Sequence, residues 1–270
     1  MDIDDIINIV IIRFSVRHIL LTFFKNEESR DNWFIFRSKL FNSYLHKCLH
    51  HQTKKPNKVY VLVDNDDRNL VEKYLNIDNI TVIYCNIDMR YYENQILVDL
   101  CKNKLVKNLV VSRIDSDDLI NKDFFYNINQ QLLLHPAPRL IACRGYRSDL
   151  TNIQSLFFTN SPFISKYINF ENVSVKDLQS FSPFDINHEC VDSLEHTQNH
   201  NAEWIQLIHH TNLDNQLLNE TRSNDNKLFV TPLVPIDPIW FANWAGFEFT
   251  KIPETMLTKP ELFNHLGYYL

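Results

Sequence analysis

Three carboxylates at the end of a short apolar run are the residues best placed to do chemistry. Asp115, Asp117 and Asp118 follow the segment Val-Val-Ser-Arg-Ile at 110–114. Like charges this close repel one another unless a cation joins them, and carboxylate oxygens are ligands that Mg²⁺, Mn²⁺ and Ca²⁺ accept. One interpretation is therefore a divalent-metal site that holds a diphosphate. The other is structural, since Asp118 precedes Leu119 and Ile120 and could be the N-cap of a helix that begins there.

The glycine content narrows the ways in which phosphate could be held. The chain contains 3 glycines, Gly145, Gly246 and Gly267. Both the dinucleotide fingerprint and the P-loop need two or more glycines at fixed spacing. The sequence therefore has no glycine-rich phosphate loop, which again favours a metal ion at residues 115–118, the acidic loop.

Charge and cysteine usage exclude several classes of protein. The formal net charge is -6, which leaves no overall basic surface, so no nucleic-acid partner is expected. The 5 cysteines are scattered without a Cys-x-x-Cys pair, which argues against a disulfide framework and a cysteine zinc site. We expect a reducing, cytoplasmic location.

An apolar stretch at 6–24 could be mistaken for a membrane segment. Arg13 and Arg17 interrupt it at its centre and acidic residues precede it, which is unlike a signal peptide or a spanning helix. A small basic cluster of Lys54, Lys55 and Lys58 could contact anionic lipid or form a solvated loop. We therefore expect peripheral membrane association at most.

Apolar runs and helical periodicities alternate through the first half of the chain. Runs rich in β-branched residues predict strands at about 7–12, 59–63, 80–84, 109–114 and 140–143. Apolar residues spaced three and four apart predict helices at about 30–51, 67–75, 91–105 and 124–134. This α/β alternation predicts right-handed crossovers and a mostly parallel, Rossmann-type sheet flanked by helices. From 145 to about 201 the pattern fades, and we expect an irregular antiparallel extension.

Several charged residues directly follow predicted strands. Arg13, Asp64, Arg113 and the acidic loop each stand at a strand's carboxyl end. Ligands of open α/β sheets bind in the crevice outside these ends. Arg13 and Arg113 could make charge-assisted contacts to a nucleotide or phosphate, although Arg113 could instead pair with the neighbouring carboxylates. Asp64 could contact a ligand in this crevice or could be a solvated acid in a turn.

These segments together resemble a known family, the rhamnosyltransferase family within the nucleotide-sugar glycosyltransferases of A-type (GT-A) fold. The likeness extends from about residue 10 to 215. Its most specific parts are the Arg-x-Asp-x-Asp-Asp motif at 113–118 and the block from Trp204 to His209. One departure is His210, which stands where a small residue, usually glycine, would follow. The remaining matching segments are 12–17, 37–52, 61–64 and 144–146.

The resemblance implies a GT-A-like enzyme of hexosyltransferase type. Residues 1–120 would form the nucleotide-sugar-binding half and 121–215 the acceptor half of the same domain. Residues 216–270 lie outside the likeness, and the aromatic residues and prolines of this segment predict a C-terminal tail that packs on the core. The donor would be a UDP-, dTDP- or GDP-linked sugar, with rhamnose implied by the family name. The acceptor would be a glycan or a lipid-linked glycan.

The resemblance also implies roles for single residues. Asp117 would be the main ligand of Mn²⁺ or Mg²⁺, while Asp115 would hold the ribose or a metal-bound water. Asp118 would support the metal or cap the next element. Asp64 would accept a hydrogen bond from the imide N–H of uracil or thymine. His209 would make a second contact to the metal or the diphosphate.

The catalytic base of an inverting reaction is the role that the sequence determines least. We choose Glu203 because it stands beside Trp204 and ahead of His209. Trp240 and Trp244 could stack on sugar faces or could simply pack in the core. The other acids of the acceptor half that could serve as base are Asp185, Glu189, Asp192 and Glu195.

Two rival functions use the same acidic residues differently. A nucleotidyltransferase or hydrolase would act on phosphates with Mg²⁺, but a nucleotidyltransferase normally carries a glycine-rich loop after its first strand. The segment at 13–17 contains no glycine. A catalytically silent glycan-binding module is the second rival, and its carboxylates would only cap a helix.

Overall fold

The architecture was obtained from a computed structural model. It describes residues 2–15, 24–86, 88–102, 106–135, 140–158, 164–171, 196–209, 228–230 and 232–250. None of the helices in these ranges combines the length and the apolar character that crossing a bilayer requires.

Four parallel strands form one side of the sheet. They are β1 (Ile6–Arg13), β2 (Lys58–Asp64), β3 (Thr81–Cys85) and β4 (Asn108–Arg113), and they lie in the order β3-β2-β1-β4. Their Ile, Val and Leu runs are buried because helices cover both faces of a parallel sheet. The predicted α/β class, with parallel strands flanked by helices, is confirmed.

Alternate residues of β1 enter different halves of the core. Val10 and Ile12 pack on one face of the sheet with Phe34, whereas Ile9 and Ile11 pack on the other. This alternation is the two-residue period of a strand. The first helix therefore lies against one face, and the helix between β3 and β4 lies against the other.

The four predicted helices are confirmed, with shifted ends. The longest run begins as α1 (Glu27–Leu40), passes through a π-helical turn (Phe41–Leu45) and ends as α2 (His46–His50). Its start is earlier than predicted because the Asn26 side chain accepts the Ser29 N–H at 2.8 Å and caps it. The others are α3 (Arg68–Tyr74), α4 (Met89–Lys102) and α5 (Phe124–Leu134).

The second half of the chain extends the sheet with antiparallel strands. β8 (Ile164–Asn169) pairs with β4, and β6 (Leu140–Ser148) pairs with both β8 and β7 (Asn152–Phe158). Two short strands, β10 (Leu228–Val230) and β11 (Val234–Pro235), also pair with β7. These pairs are antiparallel, as expected, and the parts described are more regular than the sequence indicated.

The long strand β9 (His196–Leu207) connects the extension to the acidic loop. It runs parallel to β6 and antiparallel to the two-residue strand β5 (Leu119–Ile120), which directly follows that loop. The indole of Trp204 is buried and donates its N–H to the Cys143 carbonyl at 3.0 Å. A Cβ added at Gly145 would overlap this indole, so glycine is needed there.

One helix of the C-terminal tail lies on the core. α6 (Pro238–Ala245) is capped by Asp237, which accepts the Ile239 N–H at 2.9 Å, and it ends at Gly246 with a left-handed φ of 85°. Its backbone is joined to the core where the Lys122 N–H donates to the Trp244 carbonyl at 3.0 Å. Residues 210–227, 231 and 251–270 lie outside the described ranges. The predicted division of the chain at residues 120 and 215 therefore stays a prediction.

Replacing Gly145 with alanine tests the contact with Trp204. We expect Gly145→Ala to lower the free energy of unfolding by about 1–3 kcal/mol, because the added methyl overpacks a buried site. Urea denaturation measures this loss. The matched control is the same change in a Trp204→Phe background, where the smaller ring should reduce the added cost. An equal cost in both backgrounds would show that the indole contact is not the cause.

Candidate active site

The acidic loop lies at the point where the strand order of the parallel sheet reverses. β2 and β3 lie on one side of β1, and β4 lies on its other side. The chain leaves β1 with the Phe14 N–H donating to the Leu62 carbonyl at 2.9 Å, while the acidic loop leaves β4 beside it. Ligand sites of open α/β sheets form at such switch points. The predicted crevice therefore brings the ends of β1 and β4 together.

Asp117 is buried at the centre of this region, with a side chain 4% exposed. Its Oδ2 accepts a hydrogen bond from Nη1 of Arg37 and lies 2.9 Å from Nε2 of His209. Since an ionised carboxylate only accepts, His209 donates this hydrogen bond. α1, the acidic loop and the segment after β9 thus each supply one member of a triad, Arg37–Asp117–His209, which we call the charged triad after its ion pair between Arg37 and Asp117.

Aromatic rings of α1 hold the triad in place. The imidazole of His209 meets the Phe36 ring edge-on, with centroids 5.5 Å apart. The guanidinium of Arg37 lies over the Trp33 ring, 5.3 Å from its centroid. These rings exclude water from the charged groups, so their mutual attraction is stronger than on an open surface.

The pKa values of the neighbouring carboxyls Asp117 and Asp118 are shifted in opposite directions. Burial raises the pKa of Asp117, but the charge of Arg37 and the hydrogen bond from His209 outweigh burial, so its pKa is lowered. Burial also raises the pKa of Asp118, and there the negative charges of Asp117 and Asp115 add to it, so that pKa lies well above its usual range. Asp117 is therefore the permanent negative charge of the site.

Asp118 connects the acidic loop to β9. Its Oδ1 accepts the N–H of Leu207 at 3.0 Å, and both residues are buried. This contact extends the pairing of β5 with β9 by one side-chain hydrogen bond. Asp118 thereby positions His209, which follows Leu207 by two residues. The interpretation of Asp118 as a helix cap is wrong, because the element that follows it is the strand β5.

Asp115 and Ser116 complete the loop. The Asp115 side chain is 42% exposed, and its Oδ1 lies 3.9 Å from Nε of Arg113. Within the described part of the chain, the buried Oγ of Ser116 and the buried Nε of Arg37 have no hydrogen-bond partner. An unsatisfied buried polar group costs about 1–3 kcal/mol, and such groups often mark a ligand contact or a reservoir of strain.

Arg13 is held at the end of β1 by a residue that the sequence did not single out. Glu93 of α4 is fully buried and receives two hydrogen bonds from Arg13, Nε to Oε1 at 2.6 Å and Nη2 to Oε2 at 3.1 Å. The signal was a lone acid on the buried face of α4, among Met89, Ile96 and Leu97. This bidentate pair fixes the direction of the guanidinium.

Asp64 follows β2 and begins a short 3-10 helix. One of its carboxylate oxygens, Oδ1, accepts the Asp66 N–H at 3.1 Å, and its own backbone N–H donates to Oγ of Ser15 at 3.1 Å. Ser15 lies just beyond the end of β1, so the ends of β1 and β2 are tied together. Asp64 is half-buried at the same edge of the sheet as the acidic loop.

Glu203 lies away from Asp117. Its Oε1 accepts from the Tyr146 hydroxyl and its Oε2 from the Trp244 indole N–H, each at 2.8 Å. Its backbone pairs with Asn121, four residues beyond Asp117, which is roughly 13 Å along an extended chain. The other predicted candidates for the base, and His210, lie outside the described ranges.

The donor set around Asp117 suits a hard or borderline divalent cation in its chemistry. Asp115 and Asp117 offer carboxylate oxygens and His209 offers an imidazole, all of which Mn²⁺ accepts. Among the residues described, no three His, Cys, Asp or Glu side chains already gather closely enough to hold a metal.

The positive charge beside Asp117 is Arg37, which sequence reasoning missed because a single arginine on a helix surface is unremarkable.

A cavity elsewhere in the fold is separate from this region. It measures about 470 Å³ and lies at the amino ends of β2 and β3, next to His46, Lys55, Lys58 and Thr81. Strand polarity places it at the edge of the sheet opposite the acidic loop. The charged triad, not the cavity, carries the chemistry that the sequence predicts.

The chain matches no family model and no curated protein. Among solved structures, it is similar to TarS 1-349 of S. aureus in complex with UDP, at 18% identity and a TM-score of 0.32, over 53% of this chain and 36% of that one. This chain thus spans about a third of the length of that structure.

Two further solved structures are similar over more of the chain. Mannose-1-phosphate geranyltransferase from Thermus thermophilus is 10% identical, with a TM-score of 0.39, over 74% of this chain and 75% of that one. Inositol-1-phosphate CTP transferase from T. maritima is 13% identical, with a TM-score of 0.37, over 74% and 89%. The fold assignment rests on the strand order and pairing of this chain.

Exchanging the two buried acids for asparagine tests their opposite pKa shifts. The folded state binds the Asp118 proton more tightly than the unfolded state, so this residue lowers stability as the pH rises above about 4. Asp118→Asn keeps an acceptor for the Leu207 N–H but has no carboxyl to ionise. The free energy of unfolding of this variant, relative to that of wild type, should therefore increase between about pH 4 and 7. Asp117, with a lowered pKa, stabilises at neutral pH and loses this contribution in acid.

Asp117→Asn should therefore lose stability relative to wild type as the pH rises from acid to neutral. Urea denaturation at several pH values compares the two variants. The Asp117→Asn change should occur below about pH 4, and the Asp118→Asn change above it. The proposed division of charge between the two acids is wrong if Asp117→Asn gains stability relative to wild type as the pH rises toward 4, or if Asp118→Asn loses it between about pH 4 and 7.

Proposed function

We propose that this chain is a metal-dependent glycosyltransferase of hexosyltransferase type. It would transfer a sugar from a UDP-, dTDP- or GDP-linked donor to a glycan or lipid-linked glycan acceptor. The sugar would be a deoxysugar such as rhamnose, as the resemblance implies. The observation that carries the proposal is the charged triad Arg37–Asp117–His209, built from three separate elements at the switch point of a parallel sheet.

The chemistry of glycosyl transfer explains why such a site is useful. A nucleoside diphosphate leaves with growing negative charge, and groups already oriented toward that charge lower the barrier. Asp115, Asp117 and His209 would hold Mn²⁺ or Mg²⁺ at the acidic loop. When bound, such an ion supplies a Lewis acid for the departing diphosphate. Arg37 lies beside the same carboxylate and would face the phosphates with its positive charge.

Residues at the neighbouring strand ends would bind the rest of the donor. Arg13, oriented by the buried Glu93, and Arg113 place positive charge at the ends of β1 and β4. Guanidinium groups fixed in this way suit phosphate oxygens. Asp64 at the end of β2 would accept the imide N–H of uracil or thymine, which separates these bases from cytosine.

Replacing Asp117 tests metal-dependent donor binding. By calorimetry, we expect UDP, dTDP or GDP to bind the wild-type chain only when Mn²⁺ is present. Asp117→Ala should abolish both this binding and Mn²⁺-dependent hydrolysis of the donor, because the main ligand is lost. Asp117→Asn serves as the less disruptive variant, and circular dichroism checks the fold.

Asp99→Ala is the matched control for Asp117, since Asp99 is an exposed acid on α4. It should leave nucleotide binding unchanged. Retained turnover in Asp117→Ala would contradict the metal assignment, and an absence of metal-dependent nucleotide binding in wild type would contradict the transferase itself.

The two adjacent histidines give a second test. His209 contacts Asp117, so His209→Ala should lower the rate of donor hydrolysis by about tenfold or more. His210→Ala should lower it less. Steady-state kinetics on both variants, side by side, make the comparison, and the reverse order would show that His210 serves the site.

A further inference from the structure

Three aromatic side chains surround Glu203, which lies within β9 four residues before its last residue, Leu207. Trp240 and Trp244 lie one turn apart on α6, with ring centroids 5.9 Å apart and planes inclined by 26°. The Tyr146 ring of β6 meets Trp240 edge-on at 5.8 Å and Trp244 at 6.5 Å. These four residues, Tyr146, Glu203, Trp240 and Trp244, form the aromatic patch.

The carboxylate of Glu203 organises the aromatic patch. The Tyr146 hydroxyl and the Trp244 indole N–H donate to different oxygens of Glu203, each at 2.8 Å. Burial and the charge of Glu203 raise the pKa of Tyr146 to about 12, so its phenol stays protonated. Each carboxylate oxygen can accept a further hydrogen bond, because it has two lone pairs.

Part of the aromatic patch is open to solvent. Trp244 is 5% exposed and forms its floor, whereas Tyr146, Glu203 and Trp240 are each partly exposed. Trp244 belongs to the core, and Trp240 and Tyr146 pack against that core while each keeps part of its surface exposed. The exposed guanidinium of Arg144 lies 5.6 Å from the centroid of the Tyr146 ring and adds hydrogen-bond donors at the rim.

This combination of groups selects a class of ligand. A sugar ring has an apolar C–H face that stacks on an indole, and hydroxyls that a carboxylate and a guanidinium can bind. The charge of Glu203 disfavours phosphates and other anions. A neutral carbohydrate therefore fits the aromatic patch better than a nucleotide does.

The position of the aromatic patch says which sugar it would hold. Asn121, which pairs with Glu203, follows Asp117 by four residues, a length of roughly 13 Å along an extended chain. The hydroxyl that receives the sugar must approach the reacting carbon to about 3–3.5 Å. We propose that the aromatic patch binds a sugar unit of the acceptor distant from the reacting hydroxyl, so that the acceptor is an oligosaccharide. This inference rests on the proposed function.

The test measures carbohydrate binding without nucleotide or metal. The probes are neutral gluco-, galacto-, manno- and rhamno-oligosaccharides of one to four units, followed on the full chain by saturation-transfer NMR and tryptophan fluorescence. At least one series should bind, more tightly for three units than for one. Trp240→Ala should weaken that binding about tenfold, and Trp240→Phe should restore most of it.

Two controls separate the aromatic patch from the charged triad. Ile239 is 73% exposed next to Trp240 on α6, so Ile239→Ala should leave binding unchanged. Adding Mn²⁺ to the wild-type chain should also leave it unchanged, because the proposed ion site is not part of the aromatic patch. If no series binds, or if binding survives Trp240→Ala, the inference is overturned. If glycans bind in this way while Mn²⁺-dependent nucleotide binding fails, the aromatic patch stands and the proposed transferase falls.

Discussion

The buried carboxylate of Asp117 is the constraint on which the rest of the site depends. An isolated charge in the interior is costly, and it is tolerated only when partners neutralise and hydrogen-bond it. Arg37 and His209 meet this need from two other elements. The helix α1, the acidic loop and the end of β9 are therefore joined by the same requirement, and the site is assembled where the three meet.

The second buried acid shows how the same sequence motif performs two different tasks. Asp118 differs from Asp117 in its partners, because a backbone N–H of β9 binds it. Burial, together with the neighbouring negative charges, raises the pKa of Asp118 and so favours its protonated form. Its contact with Leu207 keeps β9 in register, and this register sets the position of His209. The structural contact of Asp118 thus helps to position His209, a member of the charged triad.

Strand β9 connects two regions of different chemistry. The segment after its end carries His209 beside the acidic loop, and the strand itself carries Glu203 beside the indoles of α6. An extended strand keeps such groups apart at a fixed spacing. If the chain is a glycosyltransferase, this spacing separates the donor phosphates from the distal part of a glycan acceptor, and the tail helix α6 becomes part of the acceptor site.

The sequence by itself determined the alternating strands and helices and the place of the acidic loop. Apolar β-branched runs and three-four spacing are local signals, so β1 to β4 and the helices between them were predicted within a few residues. The partners of the charged residues were decided only by the tertiary structure. Arg37 meets Asp117, and Glu93 meets Arg13, across 80 residues of chain in each case. Periodicity shows which face of a helix is buried, but not which distant charge it will meet there.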